Sequence, residues 1–258
     1  MANRKVAFVT GSGMGIGKEI ALRLADDGFD VVINARHAES LVPVSEAIRS
    51  KGVECLIAAG DVSNDDTVHE IFGKIKETFG RLDVLVNNAG ICPIRKMDAV
   101  SAEEMERTFD INVVSMFLCA KAAAEIMKDQ PEGGKIINAA SQSSFRETPV
   151  TFEYTTTKWS IRGMTKAMAD ALREYNITVN AYCPGTVLTP MQDKIARESA
   201  KEMHVPAWLI RKYQLLSQPL GRFQTNEDIA NLVSFLASGR SRGINGQNLL
   251  CNGGQVMN

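Results

Sequence analysis

The sequence predicts an α/β fold in a single domain, a mostly parallel sheet with helices laid on both faces. Three features of the chain carry this. From "KVAFVT" onward, short apolar runs alternate with longer stretches of helical period, and the short runs are apolar on both faces rather than on one. A strand with two apolar faces must be buried on both, which is the condition of a parallel sheet covered by helices. A third feature is continuity: no linker, low-complexity tract or repeat divides the 258 residues, a length that lets one large domain bury a substantial core.

The elements follow in order. "KVAFVT" reads as a strand and "GIGKEIALRLADDG" as a helix, in which Ile16, Ile20 and Leu24 recur every four residues and form one apolar stripe. "DVVINA" is the next strand. A helix runs to "SEAIRSKG" with Pro43 near its start, where a missing N–H matters least. The strand "ECLIAAGDV", the helix "DDTVHEIFGKIKETFG" and the strand "LDVLVNNAG" complete this half. A long helical segment follows around 101–129, then the strand "KIINAAS", a helix carrying "EYTTTK", and the strand "ITVNAYC". A less regular region around 190–217 reads as a substrate lid, and the helix "NEDIANLVSFLAS" and strand "QNLLCNGG" close the pattern.

Composition narrows the function classes. With 45% hydrophobic and 23% charged residues, neither disorder nor a fibre is indicated, and a net charge of -1 without a Lys/Arg run gives no electrostatic reason to expect nucleic acid or an anionic membrane. No apolar stretch reaches the ~18 residues of a membrane span. "MANRKVAFVTG" runs straight into structure without a signal peptide, so a cytoplasmic protein is expected. The five cysteines (55, 92, 119, 183, 251) are scattered and read as reduced core residues, and the isolated histidines (37, 69, 204) predict no metal site.

"VAFVTGSGMGIG" places Gly11, Gly15 and Gly17, with Ser12, Met14 and Ile16 between them, after a strand and before a helix. Glycines there permit a tight turn, let the backbone approach a pyrophosphate, and let the helix N-terminus point free N–H groups at the anion. A dinucleotide site is therefore expected. The tip of the second strand selects the dinucleotide. An NAD site usually ends this strand with a carboxylate for the ribose 2′-OH, yet "VVINARH" offers Ala35 and Arg36. A guanidinium pairs with a 2′-phosphate that a carboxylate would repel, so NADP(H) is preferred, with NAD(H) as the alternative. Asn34 is expected to add a neutral contact. Asp61, followed by Val62, is placed to accept from the adenine amino group or to cap its own turn.

"EYTTTK" sets Tyr154 four residues before Lys158, hence on one face of a helix. A tyrosine with a pKa near ~10 moves protons poorly at neutral pH, and a fixed positive charge beside it lowers that value. The pair suits proton transfer.

With the glycine loop, "NNAG" at 87–90, Ser141 thirteen residues before Tyr154, and "PG" at 184–185 all in order, the chain resembles the short-chain dehydrogenase/reductase family over essentially its whole length. The resemblance implies a doubly wound, Rossmann-like parallel sheet of about seven strands that binds a nicotinamide dinucleotide and commonly assembles as a homotetramer. It implies that Asn88, Ala89 and Gly90 support the sheet and the cofactor, that Ser141, Tyr154 and Lys158 perform the chemistry, and that Asn112 in "FDINVVSMF" anchors a water in a proton relay. Physical chemistry agrees with these roles. Hydride arriving at a carbonyl carbon builds charge on the oxygen, which needs a proton donor, Tyr154, and a second hydrogen-bond donor, Ser141. Lys158 is also expected to hold the nicotinamide ribose. By position, Pro184 and Gly185 turn the chain beneath the nicotinamide, Val187 offers its backbone to the carboxamide, and Thr189 its hydroxyl to carboxamide or phosphate. Serine caps, a helix-interior asparagine bonded to backbone, and ordinary loop residues are the structural alternatives for these positions.

Substrate choice is expected in "SQSSFRETPVTFEY" and the stretch after Pro190. Gln142 offers an amide for a second oxygen, Phe145, Phe152, Met191 and Trp208 could supply apolar walls, and Arg146 could clamp an anion. "GGKIINAASQ", "ITVNAYCPGTVLTPM", "LGR" at 220–222 and the ending "NGGQVMN" look most like acetoin and diacetyl reductases, or 2,3-butanediol dehydrogenases. Many of those carry an acid where Ala35 stands. Reductases of 3-oxoacyl thioesters, sugar or polyol dehydrogenases, and a non-catalytic NADP sensor are the alternatives; a sensor typically loses the Tyr or Lys, and both are present.

Overall fold

The computed structural model describes residues 4–147 and 150–257. Thr148 and Pro149, inside the segment expected to shape the pocket, lie outside the described residues.

Seven strands form one parallel sheet: β1 (Val6–Val9), β2 (Asp30–Ile33), β3 (Cys55–Ile57), β4 (Val84–Asn87), β5 (Gly134–Ala139), β6 (Ile177–Pro184) and β7 (Asn248–Cys251). Their order is β3-β2-β1-β4-β5-β6-β7. The chain builds outward from β1 to β3, then returns to lay β4 on the other side of β1, with Phe8 opposite Leu85. That reversal makes a crevice beyond the carboxyl ends of β1 and β4, the place where such sheets bind ligands.

The helices are α1 (Gly15–Asp26), α2 (Val42–Arg49), α3 (Asp65–Phe79), α4 (Ala102–Phe109), α5 (Ser115–Met127), α6 (Phe152–Ala171), α7 (Pro190–Glu202), α8 (Ala207–Leu216) and α9 (Asn226–Ala237). Side chains alternate along β1. Ala7 and Val9 join the core under α1, α2 and α9, while Val6 and Phe8 join the one under α3 and α5, where Phe8 meets Phe72 edge-on with ring centres 5.5 Å apart. Ile20 and Leu24 of the α1 stripe are fully buried, each stabilising by roughly 1.5–3 kcal/mol. The caps follow local chemistry: Asn64 accepts from Thr67 N at the start of α3, and Gly80 ends it in the left-handed region.

The long helical segment expected around 101–129 is continuous over 102–127, with a π turn over Asp110–Val114 joining α4 to α5. One expectation is corrected. The region 190–217, expected to be irregular, is mostly helical. Thr189 caps α7 with Pro190 in its first turn, but α7 buries only Ala196, Ser199 and Ala200, and α8 buries nothing fully. Without a stripe of large buried side chains, helical period is hard to see in sequence. No described helix is long and apolar enough to cross a membrane.

Candidate active site

The crevice between β1 and β4 opens into a cleft of about 400 Å³. One end is the glycine loop. Gly11 has φ +63°, and a Cβ there would sit 2.9 Å from Ala89 Cα; a Cβ on Gly17 would stand 2.4 Å from Gly11 O and 2.3 Å from Asn88 Nδ2. These glycines let the two loops touch. α1 begins at Gly15 with no side-chain cap and no acid in its first turn, so its N–H groups and the positive end of its dipole face the cleft unopposed. Such a cradle suits a diphosphate.

The cradle is held from below by polar side chains. Thr10 Oγ1 accepts from Asn88 N at 2.9 Å and Ala89 N at 3.0 Å. Asn88 Nδ2 donates to Thr10 O and Gly11 O, both at 3.0 Å, and its Oδ1 accepts from Tyr182 Oη at 2.9 Å. Ser12, fully buried, accepts from Asn34 N at 2.9 Å. Asn34 Nδ2 donates to Ala58 O at 2.8 Å and Gly60 O at 3.1 Å. Both amide hydrogens of Asn34 are thus spent on backbone, while the residue itself lines the cleft.

The tip of β2 leads to Arg36, exposed beside the cleft. Asp61 accepts from Ser63 N at 3.0 Å and Ser63 Oγ at 2.7 Å, the turn-capping geometry. Burial pushes its carboxyl up, but the Ser63 bonds and the charges of Arg36 and Arg107 win and hold it below the ordinary value. At the other end, β5 delivers Ser141 and α6 delivers Tyr154 and Lys158 to the same wall. Lys158 Nζ donates to Ala139 O at 2.6 Å, 5.4 Å from the Tyr154 ring centre. Burial pulls the Lys158 ammonium down to about 8, against the smaller upward pull of Cys92 and Cys183. Burial likewise pushes the Tyr154 phenol above its ordinary value, with Cys92 adding to the rise and a hydrogen bond with Ser141 opposing it. The expectation of a tyrosine lowered by the Tyr–Lys pair is corrected: desolvation by burial dominates and raises the phenol instead. Tyr154 keeps its proton at neutral pH.

This arrangement agrees with the matches to known proteins. The model for short chain dehydrogenases matches residues 5–200. The chain belongs to the short-chain dehydrogenase/reductase family. A diacetyl reductase [(S)-acetoin forming] of Staphylococcus epidermidis is 39% identical over 254 residues, covering 98% of both chains. The same enzyme of Staphylococcus aureus strain Mu50 is 40% identical over 256 residues, again 98% of each. Among solved structures, the NADPH-dependent reductase YwfH, involved in bacilysin biosynthesis, superposes with TM-score 0.92 at 32% identity over 99% of both chains. A variant of the actinorhodin polyketide ketoreductase with NADPH gives 0.94 at 29%, covering 99% of this chain and 98% of the other.

Family members bind a nicotinamide dinucleotide, and, the expected pocket walls and anion clamp apart, all but three of the residues expected at cofactor, catalytic and substrate positions line the cleft. The glycine loop, Arg36, Asp61 and Val62, Asn88 to Gly90, Pro184, Gly185, Val187 and Thr189 are brought together with Ser141, Tyr154 and Lys158. Gly185 is glycine for a packing reason, since a Cβ would lie 2.7 Å from Asn252 Cα. Thr189 Oγ1 accepts from Gln192 N at 3.1 Å and caps α7. The three outside are Ser12, Asn112 and Gln142. Asn112, fully buried in the π turn, donates to Ile91 O and Thr157 Oγ1 and accepts from Ile91 N, so its amide hydrogens are not free for the water expected there. Gln142 has its Oε1 buried without a hydrogen-bond partner among the described residues. Of the expected apolar walls only Met191 lines the cleft; Phe145 packs on the core under Arg162, and Trp208 is exposed. Sequence reasoning missed Ser40, Ser115, Tyr182 and Ile195 along the walls. Only Tyr182 had a usable signal, a polar aromatic at the end of a buried strand.

Proposed function

We propose that the protein is an NADP(H)-dependent oxidoreductase transferring a hydride between the nicotinamide and a small ketone or secondary alcohol, of the diketone or hydroxyketone class. The observation that carries this reading is one cleft with Ser141, Tyr154 and Lys158 at one end and Arg36, without an acid at Ala35, at the other. The nicotinamide, when bound, supplies or accepts the hydride. Tyr154, protonated at neutral pH, donates to the developing alkoxide, and Ser141 donates a second hydrogen bond to the same oxygen. Lys158 holds the nicotinamide ribose and stabilises the phenolate left behind. The α1 N-terminus binds the diphosphate, and Arg36 binds the 2′-phosphate.

The diacetyl reductases among the relatives support the substrate class, and the NADPH-dependent neighbours support the cofactor. α7 and α8 serve as the lid over the substrate, with Met191 and Ile195 turned to the cleft. Assembly into a homotetramer fits the exposed Phe117 on α5 and Trp159 on α6, large apolar groups that a partner subunit would cover. The test is NADPH consumption with a panel of small diketones, hydroxyketones, ketoses and 3-oxoesters. Fast turnover confined to diketones and hydroxyketones is expected; a preference for 3-oxoesters or ketoses overturns the substrate class, and no turnover with any of them supports a sensor.

A further inference from the structure

α6 carries two neighbouring stripes. Tyr154 and Lys158, one turn apart, line the cleft; Glu153 and Thr157, each one residue earlier, are fully buried. The short segment that follows β4 holds Glu153 directly and Thr157 through Asn112. Arg95 Nη1 donates to Glu153 Oε1 at 2.8 Å, and Thr108 Oγ1, whose shorter bond is to Glu104 O at 2.9 Å, lies 3.3 Å from the same oxygen. The other Arg95 nitrogen reaches Glu104 Oε1 on α4 at 2.9 Å, and Arg95 N donates to Val150 O at 2.9 Å just ahead of α6. One turn on, Ile91 holds Asn112 through both its N–H and its carbonyl, and Asn112 Nδ2 donates to Thr157 Oγ1 at 3.1 Å. Thr157 Oγ1 in turn donates to the main-chain carbonyl of Tyr154 at 2.7 Å.

We infer that Arg95 and Glu153 are positioning residues for the reaction: residues 91–95 form a two-ended clamp that fixes the first turn of α6 on either side of Tyr154. This rests on the reading of Tyr154 as the proton donor. A carboxylate with no exposure is costly unless paired, and Glu153 keeps one oxygen, Oε2, without a partner among the described residues. An ion pair that cost so much for packing alone could be replaced by apolar groups; placed one residue before the proton donor and tied to the loop that borders the cleft, it fixes a geometry. Ile91 lines the cleft, but Arg95 and Glu153 do not, and they work through α6.

The test uses Glu153→Gln and Arg95→Met, each in the wild type and in Tyr154→Phe. Each is expected to lower kcat about tenfold, leave NADPH affinity within about twofold, and change the residual rate of the Tyr154→Phe protein by less than about twofold, because the group being positioned is gone. Equal losses in both backgrounds, or no loss in the wild type, overturn the inference. Should a single variant fail to fold, the charge-free pair Arg95→Met with Glu153→Leu decides: a folded protein with wild-type kcat overturns the clamp, and a tenfold loss supports it. If Tyr154→Phe alone keeps full turnover, the proton-donor reading fails, an outcome visible without the clamp variants.

Discussion

Lys158 holds its ammonium 5.4 Å from the ring centre of Tyr154, one helical turn along α6, while donating to Ala139 O at 2.6 Å. The charge is thus anchored to β5 and not free to follow the phenol. Removing the hydroxyl alone isolates the proton donor: Tyr154→Phe is expected to cut turnover at least ~10²-fold with cofactor affinity kept, the scale of lost general acid catalysis. Steady-state kinetics with NADPH titration checks it, and turnover within a few-fold of wild type would reject the assignment.

The same lysine sets a stability prediction. Its ammonium titrates near about 8 in the fold against an ordinary 10.5, so folding disfavours its charged form. The unfolded chain binds more protons between those two values, and stability rises with pH across that window. Lys158→Met is therefore expected to be more stable than wild type at pH 7 and almost inactive. The gain should be full below about pH 8 and shrink as pH approaches 10.5, measured by urea unfolding at several pH values. A gain independent of pH would remove buried charge as its cause.

Gly17→Ala tests the cradle. Its Cβ would stand 2.4 Å from Gly11 O, an overpacking expected to cost about 1–3 kcal/mol and to abolish cofactor binding. Gly73 on α3 is the control: a Cβ there meets nothing within 4 Å, and Gly73→Ala should stabilise by about 0.5–1 kcal/mol. Unfolding midpoints and NADPH fluorescence titration separate the two effects.

What the sequence revealed and what it hid divide along physical lines. β1, β2, β4 and the α1 stripe of Ile20 and Leu24 were legible because burial on both faces, or on one helical face, leaves a periodic trace. α7 and α8 were not, because small residues such as Ala196 and Ala200 do the packing. In the site, the spacing of Tyr154 and Lys158 was legible since a helix fixes it. The commitment of Asn34, Asn88 and Asn112 to backbone was not, because an amide looks the same in sequence whether it meets a ligand or a carbonyl 2.8 Å away. Arg95 and Glu153 lie 58 positions apart, and no local pattern joins them.

The tip of β2 yields the sharpest test of cofactor choice. Arg36 is exposed at the cleft, Ala35 lines it without a carboxylate, and the acid among the described lining residues, Asp61, is held by Ser63. A 2′-phosphate placed there meets one guanidinium and no fixed negative charge at residue 35; a ribose hydroxyl meets no acceptor at that residue. Ala35→Asp with Arg36→Leu reverses both conditions, and NADPH preference is expected to fall by about ten- to a hundredfold or invert, since a charge-assisted hydrogen bond contributes roughly 1.5–3 kcal/mol. Because Arg36 faces solvent, the wild-type preference should also weaken as salt is raised, whereas the variant's NADH kinetics should barely change. Measuring kcat/KM for both cofactors at two ionic strengths gives four ratios. A wild type that favours NADH at both would make Arg36 an ordinary surface charge and remove the 2′-phosphate from the proposed function.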